Sequence, residues 1–70
     1  MKTYYCVTYT KYFETKKITN VFMLGTVNAE DEPVMTVIER SEYAVYHKWY
    51  SDKQYAYDYI NDLRKMSIRL

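Results

Sequence analysis

Residues 3–13, TYYCVTYTKYF, are dominated by Tyr, Thr and Val with no helix former before Lys11, a pattern that predicts a first β-strand. The polar stretch 14–17, ETKK, interrupts it. Residues 18–27, ITNVFMLGTV, then return to β-branched side chains at Ile18, Thr19, Val21, Thr26 and Val27, so the two segments are expected to form an antiparallel hairpin. Gly25 inside the second strand marks a bulge or the close approach of another backbone. Residues 28–33, NAEDEP, gather turn formers and acids and read as an exposed loop whose Pro33 opens the next strand. Residues 34–39 and 42–50 are both strand-like, with Arg40 and Ser41 at the tip of a second hairpin. Pairing Ile38 with Tyr43 places Val34, Thr36, Ile38, Tyr43, Val45, His47 and Trp49 on one face. Met35, Val37, Ala44, Tyr46 and Lys48 fall on the other.

After Tyr50 the period changes. Ser51 and Gln54 have the spacing of a capping box, and Tyr50 with Tyr55 that of a hydrophobic staple, so a helix is expected from Asp52. Ala56, Tyr59, Ile60, Leu63 and then Met66 or Ser67 recur at intervals of three and four and make one buried stripe. Lys53, Tyr57, Asp58, Asn61 and Arg64 look outward. Asp52 at the start and Arg64, Lys65 and Arg69 toward the end complement the helix dipole. The fold class that follows is α+β: a four-stranded, mainly antiparallel sheet of two hairpins with one C-terminal helix packed on one face (ββββα), forming a single domain over residues 1–70.

One helix covers one side of such a sheet, yet neither side of any predicted strand is plainly polar, as a solvated face requires. Val34, Ile38, Val45, Trp49, Phe22 and Leu24 are assigned to the helix side. That choice leaves a Met- and Tyr-bearing surface, with Met35 and Tyr46 facing outward and Tyr57 exposed on the helix, as the candidate partner-binding surface. The alternative is that the tail, residues 67–70, or a long loop folds over part of it.

Composition sharpens this picture. Seventy residues lie below the length at which one hydrophobic core is comfortably sufficient, and a single cysteine offers no internal disulfide. Cys6, in an apolar run, is expected to be a buried, reduced thiol. Ten tyrosines beside one tryptophan and two phenylalanines exceed what core packing alone requires. Tyrosine, apolar in its ring and wet at its hydroxyl, suits interfaces. The formal charge of +1 conceals polarity, because Lys2, Lys11, Lys16 and Lys17 precede the acidic set Glu30, Asp31, Glu32, Glu39 and Glu42. Those acids, if not simply a solvated loop and hairpin tip, offer an edge to a basic surface, including a groove that normally holds nucleic acid. No apolar run approaches a membrane span and the N-terminal stretch has no secretory pattern, so a soluble, cytoplasmic protein without a membrane partner is expected.

Catalytic chemistry finds little support. Cys6 and His47 are too few for a structural zinc site, and one glycine makes neither a phosphate loop nor a dinucleotide fingerprint. His47 has no Ser or Cys partner at a defined spacing, and the carboxylate pairs Glu39 with Glu42 and Asp58 with Asp62 read as solubility. The chain is therefore expected to be neither an enzyme nor a cofactor binder. Single-stranded nucleic acid is the alternative ligand, held by Tyr9, Tyr12, Tyr46 and Tyr50 with Lys11, Lys16, Lys17 and Lys48, although the acids and the absence of an RNA-recognition pattern weigh against it.

In size, tyrosine richness and layout, with TYYCVTYTKYF opening the sheet and YAVYHKWYSDKQYAYDYI joining the last strand to the helix, the chain resembles the small inhibitors that bacteriophages encode against host systems, such as anti-CRISPR proteins. The resemblance is one of style and layout and assigns no residue roles. It implies a protein-binding module in the host cytoplasm that blocks a host protein or nucleoprotein complex; the candidate contact residues come from the leftover face and the charge pattern instead, namely Met35, Tyr46, Tyr57 and the acids Glu30, Asp31, Glu32, Glu39 and Glu42. A two-fold homodimer through the leftover face is a natural addition.

Overall fold

The computed structural model describes residues 1–69, with side chains through Met66. Its elements are β1 (Lys2–Tyr12), β2 (Ile18–Ala29), β3 (Thr36–Glu39), β4 (Tyr43–Tyr50) and α1 (Lys53–Arg69). All strand pairs are antiparallel, in the order β2-β1-β4-β3, so the two expected hairpins are joined edge to edge by β1 and β4. The sheet with its single C-terminal helix is the ββββα arrangement expected.

β2 runs two residues further than its pattern implied, to Ala29, whereas β3 is shorter and leaves Val34 and Met35 outside the sheet. The Arg40 amide donates to the Tyr43 carbonyl at 2.7 Å, which puts Ser41 and Glu42 at the tip of the second hairpin. Ile38 consequently faces Val45 instead of Tyr43. That slip of two residues leaves every side chain of β3 and β4 on the face its alternation predicted.

β2 is different because it bulges twice against β1. Cys6 pairs with Gly25 while Val7 pairs with Met23, so Leu24 is the extra residue. Thr8 pairs with Phe22 and Thr10 with Thr19, so Asn20 and Val21 stand against Tyr9, with Asn20 at a φ of 54°. Asparagine tolerates that left-handed backbone better than most residues. Gly25 thus adjoins a bulge and marks no close approach, since a Cβ there would meet nothing within 4 Å. Each bulge advances the alternation by one. Ile18, Val21 and Met23 therefore share the helix side, while Phe22 and Val27 turn to the other.

The helix lies mainly over β2 and β1, and its Ala56, Ile60 and Leu63 close on Val7, Tyr9 and Ile18 as the core. Tyr5, Val21, Met23, Tyr46, Tyr50 and Tyr59 pack around them. The expected assignment of faces is thereby reversed. Phe22, Ile38, Val45 and Trp49 lie away from the helix, Val34 is exposed outside the strands, and Leu24 is exposed at the bulge. Val7 and Ile18 remain the aliphatic centre under the helix, and tyrosines pack around them, with the Tyr59 hydroxyl bonded to that of Tyr9. Met66 is exposed, so Leu63 is the last buried stripe position among the described side chains; the alternative stripe residue Ser67 and the proposed covering by the side chains of 67–70 fall outside them.

Helix initiation falls one residue later than its motif implied. Asp52 Oδ1 accepts from the Gln54 amide at 2.8 Å, and the Ala56 amide donates to the Asp52 carbonyl at 3.2 Å, so Asp52 is the N-cap and Ser51 is not. A charged carboxylate facing the positive helix end is favoured over a hydroxyl there. Gln54 does not reach back as a capping box requires; its amide donates instead to Asp58 Oδ1 at 3.0 Å, one turn on. Replacing Asp52 by Ala is expected to cost about 1 kcal/mol in urea unfolding, whereas Ser51→Ala should stay within about 0.5 kcal/mol. Equal losses for the two would overturn the assignment.

Candidate functional site

Two surfaces of the sheet differ in character. On the helix side, beyond the edge of α1, lies a tyrosine cluster. The rings of Tyr9 and Tyr46 stack with centroids 4.8 Å apart at 12°. Tyr59 meets Tyr9 edge-on at 5.9 Å and donates its hydroxyl proton to the Tyr9 oxygen at 3.1 Å. Tyr50 lies 5.6 Å from Tyr59, and the Lys48 ammonium sits 4.6 Å above the Tyr59 ring and 5.5 Å from that of Tyr50. Burial first, then the Tyr59 hydrogen bond, pushes the Tyr9 phenol above its ordinary range, with Lys48 acting in the opposite sense.

The face away from the helix has no layer over it. Its middle row on β1 is Tyr4, Cys6, Thr8 and Thr10, all buried although no element lies above them. Neighbouring strands screen that row. Cys6 stands between Gly25 and Trp49, Thr8 between Phe22 and His47, and Thr10 between Thr19 and Val45. Cys6 is 1% exposed, and burial raises its thiol pKa, the setting of an unreactive cysteine. Outside the row, Phe22 at 46%, Ile38 at 41% and Val27 at 38% are open to solvent. Thr36 Oγ1 and His47 Nδ1 lie 3.3 Å apart on the same face. By register, no charged strand residue falls on this face between Lys2 at one end and Arg40 at the other, whereas Lys11, Lys48 and Glu39 all fall on the helix side.

The contact residues expected from sequence are not gathered into one surface. Tyr46 belongs to the helix-side cluster, half-buried against Tyr9, and does not face outward. Met35 precedes β3 and is exposed, while Tyr57 is exposed on α1 with Lys53 Nζ 5.8 Å from its ring. Glu30, Asp31 and Glu32, all exposed, lie in the loop from β2 to β3 at one end of the sheet, and Glu42 is at the hairpin tip at the other. The eight residues of β4, about 27 Å of strand, separate them. Exposed Glu39 ends the outer strand opposite Ala44, at the same end as Glu42. What sequence reading missed was the side of Phe22, which faces away from the helix while Val21 and Met23 face it, because the two bulges are invisible to simple alternation; Asn20 and Gly25 were their only written signals.

Also missed was a cleft of about 320 Å³ between the two hairpin tips, lined by Tyr12, Phe13, Glu14, Thr15, Ser41 and Glu42. The Phe13 amide donates to the Glu42 carbonyl at 3.0 Å and ties the tips together. Among the described residues no three His, Cys, Asp or Glu side chains converge as a metal site would require, and no helix is long and apolar enough to cross a membrane. Set against known proteins, the chain matches no family model, no curated protein and no solved structure.

Tyr46→Ala should lower stability by about 2–4 kcal/mol in urea unfolding, as loss of a packed aromatic does, and Tyr57→Ala by less than about 0.5 kcal/mol. Comparable losses would mean that Tyr46 faces solvent after all. The raised Tyr9 phenol means that the folded state holds this proton more tightly. Its contribution is intact below the ordinary tyrosine value, about 10, and drains away as pH climbs through the higher folded value. Tyrosinate absorbance should show a late-ionising phenol, and Tyr9→Phe should remove that late step; a titration unchanged by Tyr9→Phe would refute it.

Proposed function

We propose that this protein is a small protein-binding module that acts by covering a surface of its partner. The observation that carries the reading is the open sheet face, on which exposed Phe22, Val27 and Ile38 surround a buried row and no charged strand residue intervenes. A fully solvated sheet face is polar throughout, whereas the polar residues of this one, Thr8, Thr10, Thr19, Thr36 and His47, carry no formal charge at pH 7 and are interspersed with Phe22, Val27, Ile38, Val45 and Trp49. At strand spacing, four strands by the length of β4 give at most about 500 Å² of face, and its apolar side chains share that area with Thr19, Thr36 and His47. A standard interface takes about 800 Å² per partner. The rim must therefore contribute. Acids outnumber bases at one end, with Glu30, Asp31 and Glu32 beside Lys2, while Glu14 and Glu42 stand beside Arg40, Lys16 and Lys17 at the other. The partner fitting this layout is a protein surface with an apolar centre and basic residues beyond it, the character of a site that receives nucleic acid or a subunit. Blocking such a site in a host complex is also what the likeness to small phage-encoded inhibitors implies.

Direct binding of single-stranded nucleic acid is less well supported. Base stacking needs free ring faces, and the tyrosines placed near lysines are engaged with one another: Tyr9 with Tyr46, Tyr12 with Tyr43, and Tyr50 with Tyr59 under Lys48.

A photo-crosslinking residue at position 22, expressed in the native host, should yield one stoichiometric protein adduct. Ile38→Glu on the same face should abolish it, and Asn61→Glu on the outward side of α1 should leave it unchanged. Adducts indifferent to Ile38→Glu would overturn the reading. A sole product of twice the chain mass would replace it with self-association, and a salt-steep shift of short single strands without any adduct would replace it with nucleic-acid binding.

A further inference from the structure

The cleft between the hairpin tips has a chemistry of its own. Two of its walls are aromatic: Tyr12, whose ring is braced by Tyr43 at 5.5 Å, and Phe13, 45% exposed. Two further residues, Glu14 and Glu42, supply carboxylates that make no hydrogen bond or ion pair with any described residue. No basic residue lines it; Lys16 and Lys17 stand on the returning arm of the first turn. Thr15 Oγ1 accepts from the Lys17 amide at 3.3 Å, which leaves its own proton to donate, and the Ser41 hydroxyl completes the lining.

The cleft is also held open by backbone bonds. Tyr12 N donates to Lys17 O at 2.9 Å and Arg40 N to Tyr43 O at 2.7 Å, closing the two turns, while the Phe13 to Glu42 bond clamps one turn to the other. Ligand binding therefore requires little ordering of the chain, and affinity is lost chiefly to the ligand's own freedom. At about 320 Å³ the space is at the small end of ligand sites and has room for one side chain.

We propose that this cleft is a receptor for a single guanidinium group, presented by an arginine side chain. The open ring of Phe13 attracts a flat cation, Tyr12 braced by Tyr43 closes the wall behind it, and carboxylates match the cation's fork of N–H donors. Anions are repelled by Glu14 and Glu42, and a neutral ligand of the same shape forgoes both attractions. Tyr12 and Tyr43 face each other on the side of the sheet that lacks the helix, so the cleft continues the open face and would take a basic residue at its margin. The owner of that arginine rests on the protein-binding reading; the capacity of the cleft does not.

The test is an amide-resolved NMR titration of the full chain with Nα-acetyl-arginine amide, using the citrulline analogue as the neutral isostere. Arginine amide should bind weakly, with a Kd of about 1–10 mM, and shift residues 12–15 and 40–43. The citrulline analogue should shift them far less. Glu14→Gln and Glu42→Gln, both at exposed positions, should each weaken binding by about two- to fivefold while the rest of the spectrum stays in place. Equal shifts from citrulline, shifts scattered over the molecule, or no effect of either substitution would overturn the proposal. Arginine binding without any adduct from position 22 would retain the cleft and dismiss the protein-binding reading; an adduct without arginine binding would do the reverse.

Discussion

Everything in this fold depends on β1 being paired along both edges. β2 on one side and β4 on the other satisfy its backbone, and the alternation of its side chains then feeds two faces at once. Val7 and Tyr9 meet the helix; Tyr4, Cys6, Thr8 and Thr10 are buried on the opposite side by the breadth of their lateral neighbours alone. A strand that is buried on both faces without a second covering layer explains how so short a chain forms a core. It also explains why the outer parts of the uncovered face stay apolar. Phe22, Trp49 and Val45 must be large to screen the middle row, and what screens a buried row is itself left partly in water.

The order and type of the elements were legible because local rules and the global fold agree in this chain. Thr, Tyr and Val runs, a polar interruption, an acidic loop with proline and a change of period after Tyr50 are each sufficient to place a strand, a turn or a helix. The faces of β3 and β4 were legible too, since a register slip of two preserves alternation. The faces of β2 were not. Alternation through Ile18, Phe22 and Leu24 presumes a regular strand, and two inserted residues divide that set between three environments. The side that carries the helix was misjudged for a related reason: ranking residues by apolarity places aliphatics inside, whereas here tyrosines pack around Val7 and Ile18 under the helix, joined by the Tyr59 to Tyr9 hydroxyl bond.

The candidate surface was legible in kind and not in membership. An excess of apolar side chains over what one helix can cover was written in the composition, but Tyr46 proved part of the packing and the acids proved spread along the molecule. The cleft could not be read from the chain at all. Its walls come from segments almost thirty residues apart, brought together by the pairing of β1 with β4 and the backbone bond from Phe13 to Glu42.

The irregularity of β2 bears on more than face membership. A long outer strand rich in β-branched and aromatic residues is ordinarily an invitation to stack against its like, beginning fibrillar growth. Here the twofold break near Asn20 and Leu24 spoils the flat template, Arg64 Nη2 donates to the Val21 carbonyl at 3.2 Å, and the opposite border is a strand of only four residues. The chain thus carries a sticky composition on a sheet whose two margins are poorly suited to recruiting further copies, which disfavours edge-to-edge growth into fibrils.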